Sequence, residues 1–131
     1  MIVLDASAGL ELLLGTGAGT KIARRIARPR ETIHAPHLLD IEVAHVLRRL
    51  QLGGELEEER GRQALEDLAD LDVERHAHHD FLPRVWELRR NLTAYDAIYL
   101  ALAEALGAPL LTLDRRLAMS PGHRARIELV R

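Results

Sequence analysis

The sequence predicts an α/β fold: a three-layer α/β/α sandwich with a mostly parallel central sheet, as a single domain over residues 1–131. Three observations predict it. Short apolar runs alternate with segments of helical period in the order β-α-α-β-α-α-β-α-α-β-α-β, and that alternation places helices on both faces of a parallel sheet. Two of the apolar runs, residues 1–4 and 110–113, end abruptly in an aspartate, Asp5 and Asp114. Between Ala94 and Leu106 the only charged residues are Asp96 and Glu104, so a helix there is apolar nearly all round and largely buried.

Residues 1–4 read as a buried first strand, Ala6-Ser7-Ala8-Gly9 as a sharp turn, and residues 10–14 as a short helix. The following GTGAGTK, residues 15–21, fails as a phosphate loop. Thr20 precedes Lys21 and Ile22 follows it, where a Walker loop needs Gly before the lysine and Ser or Thr after it. The dinucleotide fingerprint fails too, because the segment follows a helix and not a strand. It reads as a flexible connection, with residues 21–27 helical up to Pro29.

Residues 32–35 are a weak strand closed by Pro36, and residues 37–51 a strong helix before Gly53-Gly54. Leu39, Val43, Val46 and Leu50 form its apolar stripe. Glu42 lies about 60° from the centre of that stripe and Asp40 roughly 160° from Glu42, so only Glu42 is set into the buried face. A charged helix follows over residues 55–69, with Leu56, Ala64, Leu65, Leu68 and Ala69 available for packing. Residues 71–76 alternate as an exposed edge strand. His76, His78, His79 and Asp80 match neither the HExxH pair nor a zinc finger and read as surface groups.

Residues 80–91 form a further helix, with Leu82, Val85, Trp86 and Leu88 directed inward. In the helix over residues 94–106, Tyr99, Leu100 and Ala103 share a side with Asp96, which holds that carboxylate over a packed surface. Gly107 ends it, residues 110–113 are a strand, and residues 127–130 a short final one.

The net charge of −2 argues against a tight, non-specific nucleic-acid binder. Yet 17 of the 18 basic residues are arginine, in the clusters Arg24-Arg25-Arg28-Arg30, Arg48-Arg49, Arg89-Arg90 and Arg115-Arg116, and arginine forks suit phosphate. Only Arg115 and Arg116 flank a suspected site. The absence of cysteine excludes disulfides, thiolate chemistry and Cys-based zinc sites. No run of about 18 apolar residues occurs. The expectation is a soluble, cytoplasmic protein.

Asp5, Glu42, Asp96 and Asp114 each sit within or at the edge of an apolar segment. Four ionised carboxylates brought together in such a setting repel one another and resist desolvation, unless cations accompany them. Mg²⁺ or Mn²⁺ prefers oxygen ligands and suits phosphoryl chemistry, whereas the lack of cysteine and of a well-spaced histidine pair disfavours zinc. Singly, each acid also has an ordinary reading. Asp114 reads as a helix cap, Asp5 as a turn residue, and Asp96 as a first-turn residue favoured by the helix dipole.

The stretches MIVLDASA, PHLLDIEVAHVLRR and LTAYDAIYLALAEALGAPLLTLD, with the following RRLA, resemble a PIN domain of the VapC type, the toxin of bacterial toxin-antitoxin pairs. The resemblance runs from Met1 nearly to Arg131. It implies a metal-dependent endoribonuclease acting on RNA, with tRNA and rRNA as candidates, a homodimer, and a cognate VapB-type antitoxin that blocks the site. It also implies Asp5 and Asp96 as principal metal ligands for Mg²⁺ or Mn²⁺, with Glu42 and Asp114 completing the catalytic pocket. The family often carries Thr or Ser beside its first aspartate; here Ala6 stands there and Ser7 is the nearest hydroxyl.

Two other readings stand beside it. A catalytically silent module of the same fold would keep the partner but lack the chemistry. An aspartyl-phosphate hydrolase or receiver-like domain also keeps acids at strand ends, but it needs a lysine near them, and the chain's one lysine is Lys21.

Overall fold

A computed structural model describes residues 1–131. Five strands, β1 (Ile2–Leu4), β2 (Ile33–Pro36), β3 (Val73–His76), β4 (Leu110–Thr112) and β5 (Ile127–Leu129), form one sheet in the order β3-β2-β1-β4-β5. Every pairing is parallel, with Val3 opposite both His34 and Leu110, and Leu4 opposite Leu111. The helices are α1 (Ala6–Leu14), α2 (Gly17–Ile26), α3 (Leu38–Leu52), α4 (Glu58–Asp70), α5 (Leu82–Glu87), α6 (Ala94–Leu106) and α7 (Arg115–Met119).

Alternation along each strand splits the core in two. Ile2 and Leu4 pack with Leu13, Ile22, Leu39, Val43 and Leu68 from α1 to α4 on one face. Val3 and Leu110 pack with Val85, Leu100, Leu102 and Leu117 from α5 to α7 on the other. This is the expected three-layer sandwich, and its sheet is wholly parallel.

From β1 the chain moves outward to β2 and β3, then returns to lay β4 on the opposite side of β1. In open parallel sheets the crevice at the carboxyl ends of the strands where that order reverses is the place for a ligand. Asp5 follows β1 and Asp114 follows β4, one on each side of that crevice.

Several boundaries differ from the sequence expectation, each for a local reason. Helix α1 begins at Ala6, because the Asp5 carboxylate caps it by accepting from the Ala8 N–H at 3.0 Å; there is no turn over residues 6–9. Helix α2 begins at Gly17 and not near Lys21, capped by Thr16, whose Oγ1 accepts from Gly19 N–H at 3.0 Å. Gly19 serves close packing and not flexibility, since a Cβ there would lie 2.0 Å from the Glu11 carbonyl oxygen of α1. The buried stripe of α3 is Leu39, Val43 and Leu47, with Val46 and Leu50 at its margins.

Helix α4 starts at Glu58 and buries Ala64 and Leu68, while Leu65 and Ala69 face solvent. The helix expected over residues 80–91 is a 3₁₀ turn, His79–Phe81, followed by the short α5. Val85 and Leu88 point inward as expected, but Leu82 and Trp86 are exposed, and the Arg89 guanidinium lies 4.4 Å above the Trp86 ring.

Candidate active site

The four carboxylates come from four segments far apart in sequence. Asp5 caps α1, Glu42 lies on the second turn of α3, Asp96 in the first turn of α6, and Asp114 caps α7. Each is close enough to others of the set to perturb them: Asp96 and Asp5 act on Glu42, and Asp114 acts on both Asp5 and Asp96.

Asp5 is 6% exposed and is the most elaborately held. Ser7 Oγ donates to its Oδ1 at 2.7 Å, and Thr112 Oγ1 donates to Oδ2. Each hydroxyl has one proton, and backbone amides fix where it goes. Leu113 N–H donates to Ser7 Oγ and Asp114 N–H to Thr112 Oγ1, both at 3.0 Å, so both hydroxyl protons are turned toward Asp5. Burial raises the Asp5 pKa above its usual value, the Ser7, Thr112 and Ala8 hydrogen bonds oppose the rise, and the Asp114 charge adds to it.

Glu42 is half-buried and accepts a hydrogen bond from the Tyr99 hydroxyl at 2.6 Å. Burial pushes its pKa up, Tyr99 counters, and the charges of Asp96 and Asp5 push it further. Tyr99 is itself 2% exposed, and burial together with Glu42 keeps its hydroxyl protonated far above neutral pH, fixing it as a donor.

Asp96, also half-buried, is raised first by burial and then by Asp114, against Thr93 and Arg116. Its own N–H is capped by Thr93 Oγ1 at 3.2 Å, so the first-turn role expected of Asp96 coexists with its place in the pocket. Asp114 does act as a helix cap, accepting from Arg116 and Leu117 N–H at 2.9 and 3.2 Å through Oδ1. The cap uses Oδ1 alone.

The donor set is all oxygen, the kind that hard divalent cations take. No three of these carboxylates bring an oxygen within 4.8 Å of one another, so the pocket is open. As placed, at most two of them could ligate one ion directly, its other positions being left to water.

Ser7 was the only hydroxyl the sequence brought forward. Thr112 and Tyr99 were missed as site residues; the available signal was a polar residue inside the apolar run Leu110-Leu111-Thr112-Leu113, and a tyrosine one helical turn beyond Asp96. Asp40 turns away from Glu42 as expected and forms a two-point ion pair with Arg75 at 2.7 and 2.9 Å. Lys21 reaches the carbonyl of Arg131, so it is engaged away from the acids.

A family model described as PIN domain matches residues 2–119, which cover the acids and all of the sheet except β5. The chain belongs to the PIN domain family. It is 47% identical to Ribonuclease VapC1 of Mycobacterium tuberculosis over 98% of this chain and 97% of that one. It is 45% identical to Ribonuclease VapC12 of the same organism, over 99% of both. Among solved structures, VapBC2 from Rickettsia felis, bound to a DNA fragment from their promoter, shares this PIN fold with a TM-score of 0.73 at 15% identity, over 98% of both chains.

Proposed function

We propose that this PIN-domain chain is an endoribonuclease, the toxin of a VapBC-type toxin-antitoxin pair, which hydrolyses RNA phosphodiester bonds with Asp5, Glu42, Asp96 and Asp114 around Mg²⁺ or Mn²⁺. The observation that carries this reading is the convergence of the four acids at the carboxyl-end rim between β1 and β4, where three of them are held above their usual pKa by burial and mutual repulsion. The 45 to 47% identity to named ribonucleases over almost the whole chain supports the same activity.

A bound divalent ion would offset the clustered charge and lower the pKa of a water for attack on phosphorus. The chain's residues supply the rest. Ser7, Thr112 and the Ala8 amide hold the Asp5 carboxylate in one orientation, and Tyr99 does so for Glu42. Arg115 and Arg116 are exposed beside Asp114 and offer forks for the flanking phosphates.

A groove of about 680 Å³ runs from Ser7 and Glu42 between α1 and α3, lined by Leu10, Ile41, Val46 and Tyr95. We assign it to an apolar segment of a VapB-type antitoxin, which would cover the acids from one side. A homodimer and a cytoplasmic location, with tRNA or rRNA as substrate, belong to the same proposal. No helix is long and apolar enough to cross a membrane. Purified chain freed of partner is expected to cut RNA with Mg²⁺ or Mn²⁺, and Asp5→Asn or Asp96→Asn to abolish cutting. Full activity of those variants would falsify the assignment of the pocket.

A further inference from the structure

The expectation that His76 is a plain surface group fails in three dimensions. Parallel pairing sets His34 of β2 directly opposite Glu74 of β3, and His76 two residues further along β3, so all three side chains leave the same face of the sheet. The register, and no spacing along the chain, brings them together. His34 Nδ1 lies 2.9 Å from His76 Nε2 and 3.2 Å from Glu74 Oε2. One ligand atom from each of the three residues falls within 4.8 Å of the others, the only His or carboxylate trio in the chain that does so.

We propose that His34 Nδ1, His76 Nε2 and the Glu74 carboxylate form a zinc site, separate from the acid pocket and one strand pair away from it. In a tetrahedral site with bonds of about 2.0 to 2.1 Å, neighbouring ligand atoms stand about 3.3 Å apart, close to the two separations present here. Two imidazoles and one carboxylate with a fourth position left to water is a ligand set that Zn²⁺ takes readily, and hard Mg²⁺ does not.

The neighbour behind the site has the form such sites use. Thr32 Oγ1 lies 2.8 Å from His34 Nε2, and with a cation on Nδ1 it would accept the Nε2 proton and hold the ring in place. His34 is 4% exposed, and burial lowers its pKa against the raising effect of the Glu74 charge. Access comes from the edge of the sheet, where the Glu74 side chain is 67% exposed. A cation here would tie the edge strand β3 to β2. It would also anchor the chain just before His78, whose Nε2 accepts from the Leu38 N–H at the start of α3.

The test is Zn²⁺ and Co²⁺ binding to chelator-treated full chain in an Asp96→Asn background, which weakens the acid pocket as a competing site. The expected result is one ion per chain, a zinc-dependent rise in melting temperature, and a tetrahedral Co²⁺ absorption band. Glu74→Gln and His76→Ala should each weaken zinc binding at least tenfold, and Thr32→Val about 10- to 100-fold. Glu74 is exposed, so Glu74→Gln folds and keeps the test readable. Failure to take up a stoichiometric ion, or uptake unchanged in both Glu74→Gln and His76→Ala, would overturn the site.

Discussion

The Tyr99 hydroxyl donates to Glu42 Oε1 at 2.6 Å, and this bond ties α6 to α3 beside the acid pocket. Tyr99→Phe removes the donor without changing the packed ring. A buried bond to a charged group contributes on the order of 1.5 to 3 kcal/mol, and unfolding by denaturant should show a loss near the lower end because Glu42 keeps some solvent. The same change removes a contact that lowers the Glu42 pKa, so it should move the acid limb of the pH-rate profile upward. A profile that stays in place would remove Tyr99 from the site.

Thr112 is fully buried and donates to Asp5 while accepting from the Asp114 amide. Thr112→Val keeps the shape and deletes both bonds, leaving a buried carboxylate short of a donor. The expected cost is about 1 to 3 kcal/mol of stability. RNA cleavage should fall as well, since Asp5 loses one of the two hydroxyls that orient it. Ser7→Ala, which frees the Leu113 amide, should act in the same direction.

Burial and Asp114 raise the folded pKa of Asp96 above its ordinary value of 3.8, so the folded chain holds this proton more tightly than the unfolded chain. Its contribution to stability is full below about pH 3.8 and is lost as pH rises through the folded pKa. Asp96→Asn should therefore melt higher than the parent at neutral pH without metal, and the difference should vanish at the acid end. Mg²⁺ should raise the melting temperature of the parent more than that of Asp96→Asn. A parent that melts higher than the variant in metal-free neutral buffer would contradict the repulsion.

Gly19→Ala forces a Cβ to within 2.0 Å of the Glu11 carbonyl, so α1 and α2 must part. Overpacking against backbone costs at least about 1 to 3 kcal/mol. Gly17→Ala meets nothing within 4 Å and should be neutral or stabilising by about 0.5 to 1 kcal/mol. Thermal melts of the two variants side by side read the difference.

Much of this was legible in the chain. The apolar helix with one acid in its first turn, and two strands that each end in aspartate, announced both the sheet and the rim of the pocket. Helix α6 begins at Ala94 and ends at Leu106 as the sequence implies, because Thr93 caps one end and Gly107 takes a left-handed conformation at the other. What stayed hidden depends on pairing between distant segments. Thr112 is a site residue only because β4 lies beside β1, and His34 meets His76 only through the β2–β3 register. The start of α2 differs because a stretch that reads as a flexible linker is capped by Thr16, and its Gly19 is there for close approach to α1. Leu82 and Trp86 read inward as part of one helix over residues 80–91, whereas α5 is only Leu82–Glu87 and leaves both exposed.

The most direct measurement is RNA cleavage by the purified, partner-free chain, with chelator and then with Mg²⁺ or Mn²⁺ restored, run beside Asp5→Asn and Asp96→Asn. Cleavage that appears with the metal and disappears in both variants is the predicted result. Cleavage that persists in chelator, or in a folded Asp5→Asn chain, would contradict a metal-dependent pocket built on these acids.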